Sequence, residues 1–289
     1  MQYEGRIFRP PSEAHSLIVQ ATVGCSHNKC TFCSMYKEKQ FHMRDLQDVL
    51  DDLTEMAGRY PDVRRIFLAD GDALILPMER LEAILTLIRE KFVHCERVGI
   101  YGSPRSILRK TPEELRSLRE LGLGIVYLGL ESGSDEILKR VNKGETADEI
   151  VTAGLKVKEA GIPLSVTAVS GLGGKELWRE HAQATGKAFT RMKPDYIGLL
   201  TLLLEDDVPL ERDFKAGVFE LLSPEEIALE TLVMLKNMDC EGSVFRSNHA
   251  SNYISLRGTL NRDRETMMGQ LRDALEGNAA YKKEPMRAL

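Results

Sequence analysis

Gly24-Cys25-Ser26-His27-Asn28-Lys29-Cys30-Thr31-Phe32-Cys33 places three cysteines within nine residues, directly after a β-like run from Ser16 to Thr22. The other two cysteines, Cys95 and Cys240, stand far away and alone, so the cluster does not come from a cysteine-rich composition. A disulfide would leave an odd sulfur. Thiolates this close together suit a soft metal, either zinc or the irons of an iron–sulfur cluster. Zinc would need a fourth ligand from His27 or His42 to close a tetrahedral set. A four-iron cluster needs only the three cysteines and leaves one iron open to a small molecule.

Working outward, the chain alternates strand and helix. Leu46, Val49, Leu50, Leu53 and Met56 recur at helical spacing until Gly58 and Pro61 stop the pattern. Arg65 to Asp70 reads as a buried strand and is followed by a helix through Leu81, Ile84, Leu85 and Ile88. Val98 to Gly102 is a third strand; Thr111-Pro112-Glu113-Glu114 then caps a helix that Gly122 closes. Ile125 to Leu130 is almost wholly apolar, as a parallel strand covered on both faces should be. A short piece from Asp135 to Val141 and a helix capped at Thr146 lead to the fifth strand, Pro163 to Ser170. A helix through Leu177, His181, Ala184, Ala188 and Met192, a sixth strand from Tyr196 to Leu203 and a helix capped at Ser223 complete the series.

Six such units with short connections predict an α/β fold, a partial (β/α)6 TIM-like barrel over residues 1–237. Residues 238–289 form a short C-terminal extension with at most one strand, and the polar last dozen, from Gly277, are expected to fray. The chain has 289 residues, 43% of them hydrophobic, enough to bury a full core as one domain. Its net charge of −5 is spread without a basic stripe, which argues against nucleic acid. There is no apolar leader and no run of membrane-spanning length, so the expectation is a cytoplasmic protein, where thiols stay reduced.

The three cysteines after the first strand, with the aromatic Phe32 just before the last, resemble the loop of the radical S-adenosylmethionine (SAM) enzymes. The spacing departs from the usual one: four residues, not three, separate Cys25 and Cys30. That resemblance covers about residues 16–236 and implies the same partial barrel, an oxygen-sensitive [4Fe–4S] cluster on Cys25, Cys30 and Cys33, and SAM as second cofactor. SAM would chelate the open iron, and its reductive cleavage would give a 5′-deoxyadenosyl radical that abstracts hydrogen from a small organic substrate. Flavodoxin or ferredoxin would donate the electron.

In such barrels ligands gather at the carboxyl ends of the strands. There, Gly71 and Asp72 loosely match a turn that receives the SAM amino group, the alternative being an ordinary strand-to-helix turn. Tyr101 and Ser103 after strand three, and Gly129-Leu130-Glu131-Ser132 with Asn142-Lys143 after strand four, resemble the branch of anaerobic coproporphyrinogen oxidase and the methylthiotransferases. The resemblance gives Glu131 the ribose hydroxyls and Lys143, in place of the branch's arginine, the SAM carboxylate; the plain alternative is a surface ion pair. It also places Leu172 and Gly173, in the turn after strand five, against adenine. A phosphate-loop reading of that turn fails, because Val169 stands at its first glycine and Glu176 follows Lys175. His181 reads as a packing or surface residue, and Cys95 and Cys240 as small hydrophobes.

Phe245-Arg246-Ser247-Asn248-His249-Ala250-Ser251-Asn252-Tyr253 shows neither helical nor strand period and is dense in polar groups. It is either a self-capped surface loop or the lining of a substrate cavity, with Arg246 facing an anionic group and His249 moving a proton. Modification of RNA or a peptide, and a non-catalytic zinc-binding interaction protein, are the competing functions.

Overall fold

A computed structural model describes residues 3–205 and 207–288. In chain order the elements are β1 (Leu17–Gln20), the two-residue strands β2 (Thr22–Val23) and β3 (His42–Met43), α1 (Leu46–Arg59), β4 (Arg65–Ala69), α2 (Met78–Lys91), β5 (Arg97–Tyr101), α3 (Pro104–Arg109), α4 (Pro112–Glu120) and β6 (Leu123–Glu131). They continue with α5 (Asp135–Arg140), α6 (Ala147–Glu159), β7 (Leu164–Ser170), α7 (Gly174–Met192), β8 (Tyr196–Thr201), α8 (Pro209–Lys215), α9 (Pro224–Lys236), β9 (Val244–Ser247), β10 (Leu256–Thr259) and α10 (Arg264–Leu275). Among the described residues the main sheet runs β1-β4-β5-β6-β7-β8-β9-β10. β1 pairs in parallel with β4, β4 with β5, and β5 with β6; β7 pairs likewise with β8, and β8 with β9.

All six expected strand–helix units are present, and the expected caps close. At Thr111 and Ser223 each hydroxyl takes the amide three residues on, while the glutamate there returns to the cap amide. Two things differ. The six-residue α3 was not foreseen; Ser103 caps it by accepting from the Ser106 amide. After Lys236 the chain adds β9, β10 and the twelve-residue α10, more than the single short strand expected. Only Phe245 of β9 is a large buried apolar group, so the strand has almost no sequence period. It forms because β8 offers an edge, pairing Tyr196 with Val244 and Gly198 with Arg246.

The contacts divide the chain into two compact units, one of residues 1–28, 35–128 and 153–164, the other of 29–34, 129–152 and 165–289. In the first, Ile18, Phe67, Ala69, Ile125 and Tyr127 form a buried cluster. Glu13 is fully buried in this unit, held by Tyr127, Arg97 and Ser16. In the second, Ile137, Val141, Val169, Leu172, Leu202 and Leu210 pack together with Phe32 against them. No helix of the described residues is long and apolar enough to cross a membrane.

Candidate active site

In the first unit the stretch Gly24–Ser26 lies along Asp70–Asp72, at the carboxyl end of β4. The Gly71 amide donates to the Gly24 carbonyl at 3.1 Å. Asp70 and Asp72 are fully buried and take the flanking donors. Asp70 Oδ2 accepts from the Gly24 amide at 3.0 Å, from Gln20 at 3.2 Å and from Lys39 at 2.7 Å. Asp72 accepts from Ser26 Oγ at 2.5 Å, and from the Ser103 amide and hydroxyl at 2.9 and 2.8 Å. Gly71 has no room for a side chain, since a Cβ would lie 2.7 Å from the Tyr36 ring and 3.0 Å from Cys25 Cβ. Further along, Asn28 takes the left-handed backbone region at φ 46°, and its amide group donates to the Tyr36 carbonyl at 2.7 Å.

Asp72, expected to receive the SAM amino group, accepts here from Ser26 and twice from Ser103 and so ties these loops together; Ser103, also expected among the cofactor residues, is its partner. Tyr101 packs edge-on against Phe67 and Tyr127, with ring centroids at 5.0 and 5.9 Å. Asp70 was not singled out in the sequence; the only signal was an acidic residue at the end of an apolar strand.

In the second unit the Thr31 amide donates to the Val141 carbonyl at 2.9 Å and its carbonyl accepts from the Leu210 amide at 3.0 Å. Asn142, left-handed at φ 54°, donates through its side chain to the Lys29 carbonyl at 3.2 Å. The structure brings Glu131 and Lys143 together at 3.0 Å, with side chains only 15% and 13% exposed, so this is not a surface ion pair. Glu131 is itself left-handed, φ 60°, where a residue with a Cβ is strained. The pair lies over Gly129, where a Cβ would stand 3.1 Å from Lys143 Nζ and collide with Glu131. Burial works against the Lys143 charge, but the Glu131 carboxylate and negative charge on the Cys30 sulfur outweigh it and hold the lysine pKa above its ordinary value.

Ser132 is fully buried behind this pair, 2.9 Å from His181 Nδ1. Burial pushes the His181 pKa down to about 4, so the ring is a neutral packing residue, as the sequence suggested. Leu172 belongs to the apolar cluster that Phe32 covers, and Gly173 is the N-cap residue of α7. A cavity of about 420 Å³ opens here, lined by Val141, Leu172, Gly173, Leu177, Leu210 and Phe219 among others. Glu230, on α9, was missed in the sequence. Fully buried, it accepts from the Ser170 hydroxyl and from the Gly171 amide at 2.8 Å, and burial pushes its pKa up to about 8.

The polar stretch after β8 divides. Arg246, expected to face an anionic group, is an exposed residue within β9 whose guanidinium donates to the Phe245 carbonyl at 2.8 Å. Asn252 and Ser251 are buried against the end of β8, through Thr201 and the Leu199 carbonyl. Half-buried His249 bonds Ser251 Oγ at 2.9 Å; burial and the Lys282 charge lower its pKa. Arg287 lies in the tail for which fraying is expected. That side chain, 3% exposed, donates to the carbonyls of Ser251 and Leu202 and lies 4.1 Å over the Tyr253 ring.

Cys25, Cys30 and Cys33 are half-buried and none is in a disulfide; Cys240 is buried and Cys95 half-buried. Among the described residues no three His, Cys, Asp or Glu side chains are already grouped around a metal position. The donor set itself, three thiols on one loop, fits iron. Three thiols follow the first strand of a mostly parallel sheet, and a largely buried ion pair stands at the end of a later strand. The chain belongs to the Radical SAM superfamily, whose profile matches residues 19–183 and whose members use a [4Fe–4S] cluster and SAM.

Among its relatives is a Methanocaldococcus jannaschii protein carrying a methylthiotransferase designation, 27% identical over 52% of this chain and 34% of its own length. The chain spans 28–53% of the length of the curated relatives it matches. Of solved structures, the radical SAM methyltransferase TsrM from Kitasatospora setae, with cobalamin and a [4Fe–4S] cluster bound, matches with a TM-score of 0.61 at 17% identity over 94% of this chain and 65% of that one. Coproporphyrinogen III oxidase (HemN) from Escherichia coli matches with a TM-score of 0.57 at 20% identity, over 76% and 52%. These likenesses establish the partial barrel fold.

Proposed function

We propose that this chain reductively cleaves SAM and uses the resulting carbon radical to take hydrogen from a small organic substrate. The observation that carries the reading is the Glu131–Lys143 pair, largely buried, held over a glycine and within electrostatic reach of Cys30. Cys25, Cys30 and Cys33 would hold the cluster. When bound, that group supplies a low-potential electron and an iron position for an amine and a carboxylate. Lys143 would neutralise the SAM carboxylate, and Glu131, whose carboxylate has acceptor capacity beyond one ammonium, would take ribose hydroxyls. Phe32 and Leu172 would keep water from the nucleoside end. His249, whose pKa burial and the Lys282 charge lower, would accept a proton from substrate, and Arg246 would face an anionic group. A cytoplasmic location and a flavodoxin or ferredoxin donor go with this chemistry.

SAM binding to the anaerobically reconstituted protein tests it. Glu131→Ala or Lys143→Ala should weaken SAM about tenfold or more, because a hydrogen bond to a charged group contributes roughly 1.5–3 kcal/mol. Iron content should not change. Parental SAM affinity in both variants would remove the two residues from the site.

A further inference from the structure

The turn after β4 carries two fully buried carboxylates on either side of a glycine, and both are occupied by the chain around Cys25. Asp70 holds the residue before the cysteine through its amide, and Asp72 holds the residue after it through its hydroxyl. Between them the Gly71 amide binds the Gly24 carbonyl, and Gly71 rests against Cys25 Cβ. Asp72 is anchored in turn by both donors of Ser103, the cap of α3, while Lys39, 7% exposed, pairs with Asp70. Asp72 is satisfied at both oxygens, whereas Asp70 takes all three of its donors on Oδ2 and leaves Oδ1 without a hydrogen-bond partner among the described residues; the six donors together tie this turn to the chain around Cys25.

We propose that Asp70 and Asp72 are positioning residues for Cys25: as a two-pronged clamp on Gly24 and Ser26 they fix the direction of its thiol before any metal arrives. The clamp explains why this turn, in this chain, has two acids around its glycine. It also gives the four-residue spacer a fixed starting point: whatever path Ser26 to Lys29 takes, it departs from a pinned Cys25. The proposal rests on the reading of Cys25 as a cluster ligand.

Alkylation of the metal-free, reduced protein by iodoacetamide, followed by peptide mass spectrometry, tests it. Cys33 and Cys95 serve as internal references. Ser26→Ala cuts one prong without changing charge; Cys25 should then react about threefold to tenfold faster relative to Cys33, as expected when one hydrogen bond ceases to hold a group in place. Ser26→Thr, which keeps the hydroxyl, should restore the parental ratio. Asp72→Ala should raise the ratio at least as far. After anaerobic reconstitution, Ser26→Ala should lose iron to a chelator faster than the parent. An unchanged Cys25 to Cys33 ratio in Ser26→Ala, with an unchanged melting temperature, would overturn the clamp. Failure of the underlying reading has a different signature, a parental protein that takes up no iron while the ratio still responds.

Discussion

The cysteine loop is held in two different ways. From Gly24 to Asn28, in the first unit, the holding groups are mainly side chains, Asp70, Asp72, Ser26 and Asn28, beside one main-chain bond from Gly71 to Gly24. From Lys29 to Ser34, in the second, the main contacts are amides and carbonyls, Thr31 with Val141 and Leu210, supplemented by Asn142. Main-chain bonds are available to almost any sequence, whereas a buried carboxylate works only where its donors are also present. The first stretch should therefore be sensitive to residues that never touch metal or SAM, and the second mainly to its own cysteines.

The sharpest way to break this comparison is Gly71→Ala. The added methyl meets the Tyr36 ring and Cys25 Cβ, and overpacking of this kind costs about 1–3 kcal/mol. The expected outcome is a melting temperature several degrees lower and poor iron uptake, read by thermal unfolding and iron assay; parental values for both would show that the turn gives way easily.

Glu230 extends the contrast to a side-chain support inside the second unit. Its folded pKa, about 8, lies above the ordinary 4.5, so the unfolded carboxyl ionises first as pH rises. The stability it contributes is intact below about pH 4.5 and is lost as pH rises to about 8. Glu230→Gln keeps an acceptor for Ser170 and Gly171 but cannot ionise. Its melting temperature should gain on the parent's between pH 5 and pH 8, and a pH-independent difference would count against a buried, protonated acid.

Thr31→Ala should have the smallest effect. Both bonds of Thr31 to its neighbours are main-chain, and its buried hydroxyl has no hydrogen-bond partner among the described residues. Iron content and SAM cleavage should stay at the parental level, and a large loss of either would mean that side chains matter in this half as well.

Much of this was legible in the sequence because it is periodic or chemically distinctive. The six strand–helix units show in apolar spacing, the caps in Thr111 and Ser223, and the metal loop in three cysteines that no composition explains. Glu131 and Lys143 were found through resemblance, and the structure places their charges 3.0 Å apart. What escaped the sequence depends on partners distant along the chain. Nothing near Asp72 in the sequence shows that it binds Ser26, 46 residues earlier, and Ser103, 31 later. Glu230 lies on an ordinary amphipathic helix and acquires its role only from the turn it faces. β9 is strand because β8 has an edge to offer, and Arg246, read as a loop residue able to grip an anion, is in consequence an exposed rung of that strand.

The central claim is that Cys25, Cys30 and Cys33 hold an iron–sulfur cluster, and anaerobic purification with metal and sulfide analysis tests it most directly. The account predicts a brown protein with about four irons and four sulfides per chain. Alanine at any of the three cysteines should abolish the colour and the formation of 5′-deoxyadenosine from SAM, while Cys95→Ala and Cys240→Ala should retain both. A colourless protein holding one zinc per chain, unaffected by reductant and iron, would contradict it.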